Sequence, residues 1–375
     1  MQTAICELLG IDIPLLAFSH CRDVVAAVTN AGGFGVLGAS SHSPEHLEQE
    51  LAWIDEHVDG RPYGADIIMP QKYVGKGENL SDEQRRDMVP RAHRDFVVAL
   101  LHNHGIEISD DDVLGGGSAG LTSEMGEVLL DVAFGHPIKL IANALGVPPQ
   151  VMIDRARSAG VPVAALVGAR EHAIKQVEAG VDILVVQGTE AGGHCGEVTT
   201  MVLVPEVIEA IRPIREVPVL AAGGITTGRQ MAAAIALGAA GAWTGSVWLT
   251  SPEAETAPYT VQKLLAASAR DTVRSTGRTG KPSRQLKSAW TGAWDGPDSP
   301  GALPLPLQSL VSERVLRNID ALAERGDPGA QELATYWVGQ GVGLMNRSMP
   351  ARDVVLTMVE DYLEAAERVA ASLRD

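Results

Sequence analysis

Two segments of this 375-residue chain combine side-chain types and spacings that chemistry can use. In residues 183–196 (ILVVQGTEAGGHCG) an apolar run ends at Gln187, and the polar stretch after it carries Gly192, Gly193 and His194. An imidazole titrates near neutral pH, so it can move a proton or orient a substrate. Two glycines ahead of it let the backbone pass close beneath a planar ligand, because they have no Cβ to clash. A lone histidine is more often structural; a Gly–Gly–His turn following a buried strand favours function. The second segment runs from VPVLAAGGI (217–225) to GAWTGS (241–246). Consecutive amides at Ala222, Gly223 and Gly224, beside a helix N-terminus and matched by Gly245 and Ser246, would form a nest for a phosphate. The plainer reading, that the glycine pair only makes a tight turn, stays open. A phosphate nest of this kind indicates a phosphorylated ligand without saying which.

The elements that must position these residues follow from apolar periodicity. Short runs rich in Val, Ile and Leu at 13–17, 35–38, 64–69, 138–142, 161–167, 183–187, 217–221 and 241–245 predict strands. Helical stretches are predicted between most of them, at 23–31, 44–57, 149–159, 170–179, 205–214 and 229–237. Strands apolar on both faces that alternate with helices make a parallel sheet, and eight of them suit a closed (β/α)8 barrel. An open doubly wound sheet is the alternative, but the one early glycine cluster (Gly32, Gly33, Gly35) precedes a strand, whereas a dinucleotide fingerprint follows one. In such barrels the βα loops converge at the C-terminal mouth, where His194 would lie. Two long excursions break the alternation, one with Gly115–Gly117 in its middle and one with the Pro-rich 297–306. We expect a barrel of residues 1–70, 137–250 and 338–375, and a smaller, mostly helical lid or substrate domain of 71–136 and 251–337.

Bulk properties narrow the function. A formal net charge of −17 argues against a nucleic-acid surface, since phosphates would be repelled. Cys6, Cys21 and Cys195 have no paired spacing, which predicts no disulfide framework and a reducing compartment. No basic residue precedes Arg22 and no apolar run is long enough for a span, so the expectation is a cytoplasmic protein away from membranes. His20–Cys21 and His194–Cys195 are soft-ligand pairs, but they fall on nearly opposite strands, and no metal is expected. Cys21 and Cys195 read instead as small buried residues. The acidic run 109–112 reads as a solvated lid loop or a helix cap. The basic scatter of Arg270, Arg274, Arg278, Lys281, Arg284 and Lys287 has two open readings, lid salt bridges or capture of an anionic substrate. No feature specifies an oligomeric state.

The run from Gln187 to His194, the Ala221–Ile225 turn, LGAAGAWTGS ending at Ser246 and the Thr29–Gly38 stretch (TNAGGFGVLG) occur in one order. In that order they resemble the nitronate monooxygenase family. The likeness continues through Asp271-Thr-Val-Arg274 and Thr279-Gly-Lys-Pro282 to Gly339-Gln-Gly341, covering nearly the whole chain. The resemblance implies bound FMN, with Ala17, Phe18 and Ser19 lining the isoalloxazine and Gln187 bonding it. It implies that Gly192 and Gly193 pass beneath the cofactor, that Ala222, Gly223, Gly224, Gly245 and Ser246 hold its phosphate, and that His194 acts as base or substrate-orienting residue. Two positions depart from the family pattern. Ala17-Phe-Ser-His20 replaces a usual Gln-Ala-Pro-Met run, and Asp66 stands where an Asn is usual. Asp66 is read either as a cofactor contact that disfavours an anionic reduced ring or as a strand-end residue paired with a base. His20 is read either as a second polar group facing substrate or as a satisfied core histidine.

The implied activity is oxidation of an alkyl nitronate, or of a nitroalkane deprotonated by neutral His194, by O2 to a carbonyl compound and nitrite. The implied partners are thus a small anionic or nitro substrate and O2. Two alternatives are an FMN- and NAD(P)H-dependent reductase or dehydrogenase of an enone or CoA-thioester, and a flavin-binding protein without turnover.

Overall fold

A computed structural model describes residues 1–69, 74, 80–114 and 123–373, the side chains at 82, 110, 111 and 123 excepted. Gly115–Gly117 lie outside the described residues. The chain pairs β1 (Leu15–Ser19), β2 (Phe34–Gly38), β3 (Gly64–Asp66), β4 (Ile141–Asn143), β5 (Val163–Val167) and β6 (Ile183–Gln187) side by side. The two-residue β7 (Gly193–His194) stays outside this sheet, and β8 (Val219–Ala222) and β9 (Gly241–Thr244) close it back onto β1. All pairings in this closed barrel are parallel. The fold is therefore a (β/α)8 barrel and not an open sheet.

Apolar residues on both strand faces explain the closure. One face of each strand, including Leu16, Val36, Ala164, Val185, Leu220 and Trp243, packs into the interior. The alternate residues, such as Leu15, Leu37, Ala65, Val186 and Ala221, pack against the surrounding helices. The N-terminal helix Ala4–Leu9 adds Ile5 and Leu9 to the interior cluster, at the end opposite the mouth. Burying both faces removes apolar surface from water twice per strand, at about 25 cal/mol per Å².

The expected helices are found with shifts of one or two residues, except one. The helix placed at 205–214 spans Thr200–Ile211 and holds Pro205 inside it. Pro205 reads as a helix start because proline is best tolerated in the first turn. Here the apolar stripe Leu203, Val204, Val207 and Ile211, all buried, outweighs the one backbone bond that the proline cannot make. The earlier start brings Thr200 to the barrel mouth.

The excursions contribute helices Arg91–Asn103, Ala289–Trp294 and Leu307–Glu324, which share a second apolar cluster with Val97, Leu101, Trp290, Val311 and Ile319 at its centre. The region after β9 is not helical throughout. β10 (Thr272–Ser275) and β11 (Ser283–Leu286) form an antiparallel hairpin, and β11 pairs with β7. No helix among the described residues is long and apolar enough to cross a membrane.

Candidate active site

The mouth has two working sides, and the first is backbone. After β8 the chain turns through Gly223 and Gly224, at φ +102° and +72°, a conformation that L side chains rarely adopt. After β9 it turns through Gly245 and Ser246 on the neighbouring strand. The two amides just ahead of the next helix are already taken. Gln230 Oε1 accepts from the amides of Thr226 (2.9 Å) and Thr227 (3.1 Å), while its Nε2 donates to Gly224 O (2.7 Å). Among the described residues, the amides of Gly223, Gly224, Gly245 and Ser246 donate to no protein acceptor. A Cβ on Gly245 would meet no atom within 4 Å, so the turn borders open space. Unpaired amides around such a space fit the terminal phosphate of a cofactor.

Neighbouring segments brace this cradle. The Thr200 hydroxyl lies 3.1 Å from Gly223 O and 3.0 Å from Glu190 Oε2, and the Thr200 amide donates to the same carboxylate (2.9 Å). Gly339 N donates to Ser246 Oγ (2.9 Å) and Gln340 N to Glu190 O (2.8 Å). Gly192 carries no side chain because a Cβ would come within 2.7 Å of Gly339 N.

The second side is built from side chains. His194 lies not in a loop but on β7, opposite Ser283 of β11. Its Nε2 is 2.7 Å from Thr279 Oγ1, leaving Nδ1 for a ligand. Trp337 stands beside it at 6.0 Å between ring centroids and donates through Nε1 to Ser283 Oγ (3.3 Å). Arg278 lies 3.9 Å over the Trp337 ring and is paired with Glu313 at 3.0 Å. Burial first, then the positive charges of Lys281 and Arg278, hold the His194 imidazole down at about 4, so it is neutral at neutral pH.

The six basic residues now separate. Arg274 pairs with Glu197 (3.1 Å), Arg278 with Glu313, and Arg284 donates to Thr189 O (2.8 Å) and Thr272 Oγ1 (3.0 Å). Arg270 is exposed, and Lys287 acts on Asp271. Lys281 is half-buried near His194 and has no ion pair among the described residues.

The β1 end of the mouth carries His20, which keeps exposed surface although much protein surrounds it. Its Nδ1 donates to Gly38 O (3.0 Å), which leaves Nε2 free, and burial lowers its pKa. Phe18 contacts it edge-on at 5.1 Å and stacks near Trp243. Ala17 is fully buried with its methyl in the outer layer, and Ser19 Oγ accepts from Cys21 N (3.1 Å). Gln187 ends β6 in register with Ala222. Asp66 is 3% exposed on β3, and its Oδ1 has no hydrogen bond or ion pair among the described residues. Burial pushes the Asp66 carboxyl up to about 7. Burial also raises the Cys21 and Cys195 thiols, which keeps both protonated.

Sequence reasoning missed Thr279, Trp337 and Glu313 as parts of this wall, because nothing local signals that a hairpin some 85 residues away meets His194.

A family profile described as nitronate monooxygenase matches residues 14–361. The chain belongs to the nitronate monooxygenase family. A Mycobacterium tuberculosis protein provisionally named a monooxygenase is 56% identical over 370 residues, covering 97% of each chain. A Staphylococcus saprophyticus protein provisionally named a nitronate monooxygenase is 26% identical, covering 98% of this chain and 99% of its own. Among solved structures, nitroalkane oxidase from Streptomyces ansochromogenes superposes with a TM-score of 0.79 at 26% identity, covering 98% and 100% of the two chains. FabK from Thermotoga maritima gives 0.72 at 25% identity, covering 99% of each. This member of the nitronate monooxygenase family is accordingly an enzyme, a flavin-dependent oxidoreductase.

Proposed function

We propose that the protein binds FMN and oxidises alkyl nitronates with O2 to a carbonyl compound and nitrite. Support for FMN comes from the unpaired amides at Gly223, Gly224, Gly245 and Ser246, which fit one terminal phosphate. When bound, FMN would take electrons from the substrate and pass them to O2. Gln187, the backbone beside Gly192 and Gly193, and residues 17–19 would hold its ring.

The observation that carries the substrate class is a neutral imidazole beside an unpaired ammonium. His194 at about 4 is a weak acceptor, poorly matched to pulling a proton from carbon. Lys281 supplies positive charge with no carboxylate paired to it among the described residues. The pair suits a substrate that arrives already deprotonated. Lys281 would complement the nitronate charge, and His194, held through Nε2 by Thr279, would orient the anion through Nδ1. Residues 71–136 and 251–337, with Trp337, would close over the site and exclude water.

The test is anaerobic mixing of purified protein with an alkyl nitronate, and separately with NADPH, while the flavin spectrum is followed. Bleaching by the nitronate, with nitrite formed once O2 is admitted, is expected. Bleaching by NADPH alone would replace this reading with a reductase. No redox change with either would leave a flavin-binding protein without turnover.

A further inference from the structure

Asp66 is a buried acid at the mouth that nitronate oxidation, as proposed, does not use. Its direction follows from strand alternation. Ala65 and Ile67 pack into the outer helical layer, so Asp66 is on the inner face of the barrel. There its register neighbours are Gly38 of β2 and Ala142 of β4, and neither offers a side-chain partner. Oδ1 is enclosed with no hydrogen bond among the described residues.

The polar groups on the neighbouring strand ends and loops each bond to another partner. His20, after β1, donates through Nδ1 to Gly38 O, and its pKa is lowered. His42 Nδ1 lies 3.0 Å from His46 Nδ1 while its Nε2 has no partner among the described residues, and burial first holds the imidazole down at about 4. Asn143 on β4 accepts from Met69 N (2.9 Å) and donates to Gly146 O (3.1 Å). Ser40 Oγ accepts from Ile68 N (2.7 Å). No cation faces Asp66 among the described residues, and burial alone raises its carboxyl to about 7.

A buried carboxyl oxygen without a partner is costly, and such groups are retained where a ligand supplies the partner. In the barrel order β3 lies four strands from β8 in either direction, directly across the mouth from the Gly223–Gly224 turn. A cofactor held by its phosphate at that turn and reaching across the mouth would approach Asp66.

We infer that Asp66 is the proton acceptor that balances charge at the cofactor: its carboxylate takes up one proton from water as an electron pair reaches the bound flavin, and gives it back on reoxidation. The inference rests on the flavin reading above. The electrons come from the nitronate and leave to O2, so Asp66 gains and loses only a proton. An asparagine amide at this position has no proton that titrates in the same range.

The experiment measures proton uptake, not turnover. Anaerobic wild-type holoprotein and its Asp66→Asn variant are reduced with the same chemical reductant in weakly buffered solution containing an indicator dye. At roughly pH 8 the wild type should take up more protons than the variant, by up to about one per flavin. At roughly pH 5 the difference should vanish, because Asp66 already carries its proton. Equal uptake by both proteins at both pH values would overturn the inference. If Asp66→Asn loses its flavin, the wild type labelled with carboxyl-13C aspartate decides. A carboxylic-acid C=O band that appears on reduction and moves with the label is expected, and its absence overturns the inference. A protein that binds no flavin at all would instead overturn the flavin reading, which this experiment detects first.

Discussion

The two sides of the barrel mouth are built in opposite ways. The β8 and β9 side is backbone: two short turns, adjacent in the sheet, whose geometry follows from glycine. The His194 side is made of side chains from β7, the Thr279–Pro282 turn and Trp337, which meet only after the hairpin β10–β11 docks on β7. A backbone cradle suits one invariant group, such as a phosphate, and tolerates little change. A side-chain wall can be altered residue by residue, so it is the part suited to setting substrate.

The largest expected effect breaks the backbone side. Gly224→Val forces a β-branched residue to φ +72° and brings its Cβ to 3.0 Å from Glu190 Cβ. It should weaken FMN binding by about 100-fold or more, measured by flavin fluorescence, and also lower the melting temperature. Gly245→Ala sharpens the point, since its φ is −134° and its Cβ would touch nothing. Apoprotein stability should then change by less than ~0.5 kcal/mol, while FMN affinity still falls. Unchanged affinity in Gly245→Ala would move the phosphate elsewhere.

The same contrast explains what could be read in advance. Gly223, Gly224, Gly245 and Ser246 stand within a few residues of their strands, so local pattern suffices to find the turns. What local pattern could not report is that Gln230 caps the amides of Thr226 and Thr227 while those of Gly223 and Gly224 stay unpaired among the described residues. On the other side His194 was legible as a residue but not as a geometry. Its partner Thr279 is distant in sequence, and strands as short as β10 and β11 carry little periodic signal in a polar stretch such as Ser283–Leu286. Strand boundaries drifted for a related reason. In β3 apolar residues continue past the last ladder pair, so 64–69 shortened to Gly64–Asp66, and in β4 they precede the first, so 138–142 became Ile141–Asn143.

Next in size is His194→Asn. With Nε2 bound to Thr279, the imidazole leaves Nδ1 for substrate in the proposed reading, and Asn should keep the fold and the FMN while losing that contact. Activity on preformed nitronate should fall by roughly 30-fold, the loss of an orienting contact. The low activity on a neutral nitroalkane should fall by a similar factor, because an imidazole held at about 4 is not the base. Steady-state kcat/KM on both substrates checks this. A far larger loss on the nitroalkane would make His194 the base, and no loss on either would return it to a structural role.

The smallest effect tests whether charge on the side-chain wall acts at a distance. Lys281→Met keeps the length of the side chain and removes its ammonium. If the ammonium complements the nitronate, KM for the anion should rise by about 10-fold, a loss of ~1.4 kcal/mol, with kcat nearly unchanged. A second readout separates charge from packing. Lys281 helps to hold His194 at about 4, so its removal should let the imidazole titrate closer to its ordinary 6.5. In the wild type the acid limb of the pH–rate profile should therefore lie near 4, and in the variant it should move upward. Stability follows the same sign. A histidine depressed in the folded state binds fewer protons there than in the unfolded chain between its two values, so native stability drops as pH falls from 6.5 toward 4. That acid sensitivity should be weaker in Lys281→Met, read from denaturation midpoints at pH 7 and at roughly pH 5. A higher KM with an unmoved acid limb would mean that Lys281 binds the anion without tuning His194. An unchanged KM would remove it from the substrate wall.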